Sequence, residues 1–178
     1  MSIRTFVLNK NQTKMEANTK DKSFIKLGFD REEAFEVVES LNALLANYSV
    51  LYQKIRNFHW NVTGSDFFDV HEKLEEEYTA AAEHIDGIAE RVRILGFRPL
   101  STLSSYLDKS EIEETDAELN GNQMIAEVVK DYETLLSFIV DAADAAIETG
   151  DIGTETLIRE ILQRTEQKHW MFSAYLKD

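Results

Sequence analysis

The sequence predicts an all-α protein, a bundle of four long helices in which a long crossover connection with a short helix joins helices two and three. Three observations predict this fold. The 178 residues include only one proline and seven glycines, the residues that most often interrupt helices. Apolar residues recur at intervals of three and four over four long segments. Two of the connections between these segments are short, whereas the remaining one spans residues 100–121.

The N-terminal segment, residues 1–29, is polar and lacks a sustained period, which predicts a flexible basic arm ahead of a bundle domain over residues 30–178. Residues 1–27 contain six lysines and arginines and two acidic residues, a net charge of +4. Because the whole chain carries −14, the remainder carries −18. An acidic body attracts cations and repels nucleic acid, and a basic arm does the reverse.

The first long helix is predicted from Asp30 to about Trp60. Asp30 and Glu33 have the spacing of the N-cap and third helical residue in a capping box, with Asp in the usual Ser/Thr position. An apolar stripe then recurs with the helical period, formed by Phe35, Val38, Leu41, Leu44, Leu45, Tyr48, Tyr52 and Ile55.

The second helix is predicted from about Asp66 to Leu95, and Gly96 followed by Pro99 is the expected order of residues at its end. Residues 61–65 form a short turn between the first two helices, where Gly64 can adopt a left-handed conformation. The first two helices should therefore pack as an antiparallel pair.

The remaining elements complete the bundle. Residues 100–121 contain a short apolar patch that predicts a small helix within the crossover. The third helix is predicted over residues 122–149, with Gly150 at its end, and the fourth over residues 154–176.

The composition excludes several functional classes. The chain has no cysteine, so disulfides, thiolate metal sites and cysteine nucleophiles are absent. No apolar run approaches the roughly 20 residues that span a bilayer, and no secretory signal opens the sequence. We expect a cytoplasmic protein with no membrane partner.

Two of the four histidines flank the first turn. His59 precedes it and His71 follows it by similar distances, so an antiparallel pair of helices places them at the same height. Glu75 lies one helical turn after His71, and Asp86 and Glu90 form a second pair at i, i+4 on a nearby side. Imidazole with carboxylate and no sulfur is typical of iron, manganese or zinc sites.

These five residues cannot bind one ion within one subunit, because the 15 residues from His71 to Asp86 span about 22 Å of helix. An antiparallel second copy would bring His59, His71 and Glu75 of one chain to Asp86 and Glu90 of the other. A two-fold interface of this kind makes two equal sites. The alternative is that the histidines are core or capping residues and the carboxylates a solvated helix face.

The motifs HWNVTG, DFFDVHEKLEEEY and HIDGIAERVRILG resemble the signature of the Dps proteins, the mini-ferritins named as DNA-binding proteins from starved cells. The resemblance extends from about residue 31 to the KHWMFSAYL ending and implies a ferritin-like bundle. It also implies that His59, His71, Asp86 and Glu90 are ferroxidase ligands across a dimer interface. Trp60 matches a family position near the site. Glu75 stands where the family usually has aspartate.

The resemblance implies a ferroxidase that binds Fe²⁺, prefers hydrogen peroxide to dioxygen as oxidant, and stores ferric mineral in a hollow dodecamer built from two-fold dimers. Zn²⁺ or Mn²⁺ would compete with iron. An acidic shell draws cations inward, and Asp151 and Glu155, at the start of the fourth helix, are candidate pore residues.

A second function remains open from the sequence. The basic arm could make this a DNA-compacting structural protein associated with the nucleoid, with weak, sequence-independent binding. The same lysines could equally form a solubilising arm. A third alternative, a storage shell with degenerate sites, is disfavoured by the intact His59, His71, Asp86 and Glu90.

Overall fold

The computed structural model describes residues 23–177 of the chain. The described residues form six helices: α1 (Ser23–Lys26), α2 (Arg31–Asn61), α3 (Phe67–Ile94), α4 (Leu103–Lys109), α5 (Gly121–Glu148) and α6 (Ile152–Tyr175). The all-α prediction is confirmed. The four long helices and the short crossover helix lie within one or two residues of most of the predicted bounds.

Local sequence signals position the starts of two long helices. The predicted capping box forms at α2, where Asp30 accepts hydrogen bonds from the backbone of Glu33 and the side chain of Glu33 accepts one from the backbone of Asp30. A second capping box, between Asn120 and Gln123, starts α5 at Gly121, one residue before the predicted start. In the turn before α3, Gly64 has φ of 113°, as predicted.

The crossover runs along the bundle and returns the chain to the end where α2 and α3 are joined. A Cβ atom on Gly121, the first residue of α5, would lie 3.6 Å from Val70 of α3 and 3.7 Å from Val62 in the turn. Helices α3 and α5 therefore start at the same end and run parallel, whereas α2 and α6 run in the opposite direction. This arrangement leaves the α2–α3 turn at one end of the bundle.

The core lies between the four long helices and follows the predicted stripes. Its largest fully buried side chains are Phe58, Phe97, Leu41, Leu44, Leu45, Leu51, Ile55, Leu74, Ile88, Leu95, Leu135 and Ile139. Over the described residues, none of the helices has the length and apolar character needed to cross a bilayer.

Three asparagines of α2 fasten the crossover to the bundle. Oδ1 of Asn42 accepts a hydrogen bond from the backbone of Leu100 at 2.9 Å, and Asn57 donates to the carbonyl of Thr115 at 2.8 Å. Between them, Oδ1 of the fully buried Asn47 accepts from the backbone of residues 111 and 112 and from the hydroxyl of Ser110. These amides supply the partners that an irregular segment lying on a helix would otherwise lack.

We expect Asn47→Ala to lower the free energy of unfolding by about 1–3 kcal/mol, because the backbone N–H of Glu111 loses its acceptor and that of Ile112 keeps only the Ser110 hydroxyl. Urea unfolding at a fixed protein concentration measures the change. Asn122→Ala, which truncates an exposed asparagine of α5, is the matched control and should cost less than about 0.5 kcal/mol. Equal losses in the two variants would contradict the assigned role of Asn47.

Residues 23–29 were expected to belong to the flexible arm, but part of this segment packs on the bundle. Phe24, within the short helix α1, is only 8% exposed, and its ring centroid lies 6.0 Å from that of Phe97. The ring of Phe35 on α2 lies against the same Phe97 at 6.4 Å. The part of the predicted arm nearest the bundle is therefore packed on it, and residues 1–22 lie outside the described residues.

Candidate metal centre

The α2–α3 turn brings His59 and His71 into a reciprocal contact. Nδ1 of each imidazole lies 2.9 Å from the backbone carbonyl oxygen of the other histidine. Because a carbonyl oxygen can only accept a hydrogen bond, both Nδ1 atoms must carry the proton. In the neutral imidazole, Nε2 is then the nitrogen without a proton and is available as a metal ligand, the arrangement that metal-binding histidines usually require.

The two imidazole rings are also stacked. Their centroids are 3.7 Å apart and their planes differ by 23°. His59 is buried, with 8% exposure, and His71 is half-buried. The equal height predicted for the two histidines from their distances to the turn is therefore observed.

Glu75 completes a three-residue group with the histidines. One ligand atom from each of His59, His71 and Glu75 lies within 4.8 Å of the others, close enough to hold a single ion. Glu75 is exposed, so the group runs from a buried imidazole to a carboxylate at the surface. Two nitrogen donors and one oxygen donor suit divalent iron, manganese or zinc.

Asp86 and Glu90 lie outside this group in the single chain. They are 11 and 15 residues beyond Glu75 on α3, or about 16 and 22 Å along the helix axis. Both side chains are exposed and lie on nearly the same side of α3 as Glu75, because 11 and 15 helical steps leave rotations of only about 20° and 60°. One subunit therefore presents two separate half-sets of ligands along one helix face.

An acidic groove lies beside the three-residue group. It is lined by Glu72, Glu75, Glu76 and Glu83 of α3 together with Arg164 of α6. Carboxylates gathered in a concave surface raise the local concentration of cations. The entrance to Glu75 is thus negatively charged.

Trp60 follows His59 in the chain and is 57% exposed. The guanidinium of Arg56 lies 4.6 Å from the centroid of the Trp60 ring and 5.2 Å from that of Tyr52. The guanidinium of Arg56 therefore lies against two aromatic rings.

The expected pore role does not fit Asp151. Its side chain is only 2% exposed, because it accepts hydrogen bonds from the backbone and hydroxyl of Thr154 and pairs with Arg91 at 2.5 Å. A buried carboxylate neutralised by a guanidinium does not attract cations from water, so Asp151 is a helix cap and inter-helix anchor. Glu155 is half-buried and pairs with Arg159 at 2.6 Å.

Two ion pairs inside the bundle were not predicted from the sequence. Lys54 of α2 lies 2.8 Å from Asp131 of α5, and Lys168 of α6 lies 2.5 Å from Glu77 of α3. The hydroxyl of Tyr132 also donates to Glu77 at 2.6 Å. Asp131 and Glu77 each form an ion pair with a lysine, so neither carboxylate is free to bind a metal. Only Glu77 had a weak signal in the sequence, because it is the member of the glutamate run that falls in the apolar stripe.

A family model described as a ferritin-like domain matches residues 38–178. The chain is 40% identical over 141 residues to DNA protection during starvation protein 2 of Bacillus anthracis, covering 79% of this chain and 97% of that protein. It is 41% identical over 137 residues to a DNA protection during starvation protein of Brevibacillus brevis, covering 77% and 92%.

Solved structures give the same result. A Dps protein from Vibrio cholerae O1, described as a ferritin-like diiron-carboxylate protein, is 37% identical and superposes with a TM-score of 0.82, covering 85% of this chain and 95% of that one. A Dps protein from Bacillus brevis is 38% identical with a TM-score of 0.80, covering 84% and all of that chain. The range matched by the family model contains His59, His71, Glu75, Asp86 and Glu90.

Proposed function

Because this chain belongs to the Dps family of ferritin-like proteins, we propose that it is a cytoplasmic ferroxidase that oxidises Fe²⁺ and stores the ferric product. The observation that carries the proposal is the reciprocal histidine pair beside Glu75, with both Nε2 atoms free and all three ligands within 4.8 Å of one another.

The ligand types suit the two oxidation states of iron. The neutral imidazoles of His59 and His71 hold Fe²⁺ without adding charge to the site. Carboxylates are hard, anionic ligands that stabilise Fe³⁺ more than Fe²⁺, which lowers the reduction potential and favours oxidation. Glu75 supplies one carboxylate within the subunit, and a ferroxidase site of this kind needs further carboxylates.

The missing ligands come from a second subunit. In an antiparallel pair of α3 helices, Asp86 and Glu90 of the partner subunit would lie opposite the three-residue group of the first, and the two-fold axis would repeat the arrangement. Each dimer would then hold two equal sites. Twelve such subunits would enclose a cavity for the ferric mineral, with the acidic groove beside Glu75 collecting cations.

The proposed oxidant is hydrogen peroxide, with dioxygen as the slower alternative. Two Fe²⁺ ions give up one electron each to one hydrogen peroxide molecule. The O–O bond breaks, two protons are taken up, and two water molecules leave. A paired transfer of electrons at one site avoids release of a hydroxyl radical, and DNA near the protein would be protected from oxidative damage.

Anaerobic loading followed by peroxide tests the proposal. Fe²⁺ is added without oxygen, hydrogen peroxide is then added at one molecule per two irons, and both the ferric absorbance and the trapped hydroxyl radical are measured. We expect complete oxidation with a radical yield far below that of free Fe²⁺. A radical yield equal to that of free Fe²⁺ would contradict the proposed chemistry.

Zinc should inhibit the oxidation. Zn²⁺ lies above Fe²⁺ in affinity for nitrogen and oxygen ligands, whereas Mn²⁺ lies below it. With Zn²⁺ in modest excess over the sites, we expect the initial rate of Fe²⁺ oxidation to fall by about tenfold or more. The same concentration of Mn²⁺ is the matched control and should inhibit less. A rate that is insensitive to Zn²⁺ would place the oxidation away from the histidine pair.

DNA binding through the basic arm is the second candidate function, favoured by the split between an arm of net charge +4 and a body of −18. Two of the relatives are also named for DNA protection. Several arms projecting from one shell would add their weak contacts. We expect sequence-independent binding at low ionic strength. This binding should weaken as the salt concentration rises and disappear before it reaches roughly 0.2 M.

Deletion of the basic arm tests whether it binds DNA, and the packing of Phe24 determines where the deletion should end. Because Phe24 packs against Phe97, a deletion should end at residue 22, which removes five of the six cationic residues and preserves the packed turn. A gel-shift titration should show that this variant no longer retards DNA while its ferroxidase rate is unchanged. Full-length protein that fails to retard DNA at low salt would eliminate this function.

A further inference from the structure

The two metal-binding histidines lie in the middle of a continuous row of five rings, which we call the aromatic row: Phe67, His71, His59, Tyr78 and Tyr52. Successive ring centroids are 4.9, 3.7, 5.2 and 6.2 Å apart. The first three rings are stacked and the last two contacts are edge-on.

We propose that Phe67 and Tyr78 are positioning residues for the metal centre, holding the imidazoles of His71 and His59 in the one arrangement in which both Nε2 atoms face the same ion. The proposal rests on the metal-binding function proposed above and extends it to two residues that do not bind the metal themselves.

Hydrogen bonds and ring contacts act together on the imidazoles. Each bond from Nδ1 to a carbonyl oxygen selects the tautomer and orients the ring. Contacts on the ring faces and edges restrict the tilting of the ring planes that remains. For His71, one face is covered by His59 and the ring of Phe67 is stacked at 4.9 Å with an interplanar angle of 25°.

His59 is held by a different geometry. One face lies on His71, and the ring of Tyr78 stands nearly perpendicular to it, with an interplanar angle of 76°. A perpendicular ring obstructs rotation of the imidazole out of the stack, and edge-to-face contacts are favourable between aromatic groups. Tyr78 is itself supported edge-on by Tyr52 of α2.

The Phe67 ring contributes electrostatic stabilisation as well as packing volume. A metal ion bound at Nε2 withdraws electrons from the imidazole and makes that ring more positive. The negative face of Phe67 stabilises a positive group stacked on it, whereas leucine does not. Loss of the Phe67 ring should therefore weaken metal binding as well as loosen the geometry.

Cobalt binding to the assembled, full-length protein tests the proposal without relying on catalysis. Co²⁺ is titrated anaerobically while its visible d–d absorption is recorded, so that one experiment yields both affinity and coordination geometry. We expect Phe67→Leu and Tyr78→Leu each to weaken Co²⁺ binding by about tenfold or more and to alter the absorption spectrum. Tyr78→Phe keeps the ring and should retain the wild-type spectrum with an affinity within about twofold.

The control for lost packing is Phe138→Leu, which removes another half-buried phenylalanine on α5, outside the aromatic row. It should bind Co²⁺ as wild type does. Where a leucine variant fails to assemble, methionine at the same position fills the volume without a ring, and the same loss is expected.

The outcomes separate this inference from the proposed function. Wild-type Co²⁺ binding with unchanged affinity and spectrum in the variants lacking a ring would overturn the positioning role alone. Equal weakening by Phe138→Leu would also overturn it. Failure of wild type to bind Co²⁺, or binding unaffected by His59→Ala, would overturn both the metal centre and the positioning role.

Discussion

Shells that contain a mixture of His59→Ala and Asp86→Ala subunits should regain ferroxidase activity that neither variant has alone. Each variant by itself should oxidise Fe²⁺ at least about tenfold more slowly than wild type, since even changes beside metal ligands cost about 10–100-fold. Random mixing makes half of the dimers mixed, and each mixed dimer has one intact site of two. Co-expressed subunits should therefore reach about a quarter of the wild-type rate.

The recovery follows from the placement of the ligands on α3. In a mixed dimer, one site contains both defects, and the other combines His59, His71 and Glu75 of one chain with Asp86 and Glu90 of its partner, all intact. If every site belonged to one subunit, each would carry one defect and none would recover.

A matched mixture controls for nonspecific effects of co-expression. His59→Ala and Glu75→Ala damage the same half-set of ligands, so every site in their mixed dimers lacks one ligand. This mixture should show no recovery. Equal activities in the two mixtures, measured as the initial rate of Fe²⁺ oxidation per subunit, would contradict the shared site.

Replacement of Lys54 should cause the largest loss of stability. Its ammonium lies 2.8 Å from Asp131 and 3.3 Å from Glu127, and both Lys54 and Asp131 are about 5% exposed. Lys54→Met would leave the Asp131 carboxylate buried without its cation, which costs about 3–5 kcal/mol. Denaturant unfolding of the assembled protein at a fixed subunit concentration measures the loss.

The double variant Lys54→Met/Asp131→Leu is the control. It replaces the pair with apolar side chains of similar size, and Glu127, at 39% side-chain exposure, can turn to water. Its unfolding free energy should lie within about 2 kcal/mol of wild type. A double variant as unstable as Lys54→Met would show that the loss comes from packing rather than from the unpaired charge.

The stability deficit of Lys54→Met should depend on pH. Burial raises the pKa of Asp131 above its ordinary value, and Lys54 opposes that rise. Without Lys54 the pKa rises further, so the folded state binds a proton that the unfolded state has lost. A raised carboxyl pKa removes stability as pH increases from the unfolded pKa through the folded one. The deficit should be smaller at about pH 5 than at about pH 8.

The helices and the proximity of His59, His71 and Glu75 could be predicted because their determinants are local. The capping box at Asp30 and Glu33 involves residues three apart, and the stripes repeat every three or four residues. The level positions of His59 and His71 follow from their similar distances to a turn that a glycine allows. Such features involve residues that are close together in the chain, and the regular repeat of a helix then determines how those residues are placed.

Other features depend on partners far away in the chain. Asp151 looked like an ordinary acidic residue at a helix start, but its guanidinium partner, Arg91, lies 60 residues earlier. Phe24 is an apolar residue in a polar segment, and only the position of Phe97 explains its burial. The aromatic row was also missed, because Phe67 and Tyr78 fit the apolar stripe of α3 without reference to the histidines.

The asparagine contacts of the crossover also bear on how the chain closes on itself. The bonds from Asn42, Asn47 and Asn57 join residues 58 to 65 positions apart, whereas the His59–His71 bonds join residues 12 apart. A loop roughly five times longer costs about 1.4 kcal/mol more chain entropy to close. The histidine half of the proposed metal centre thus forms by the shorter of the two closures, and the crossover that completes the bundle requires the longer one.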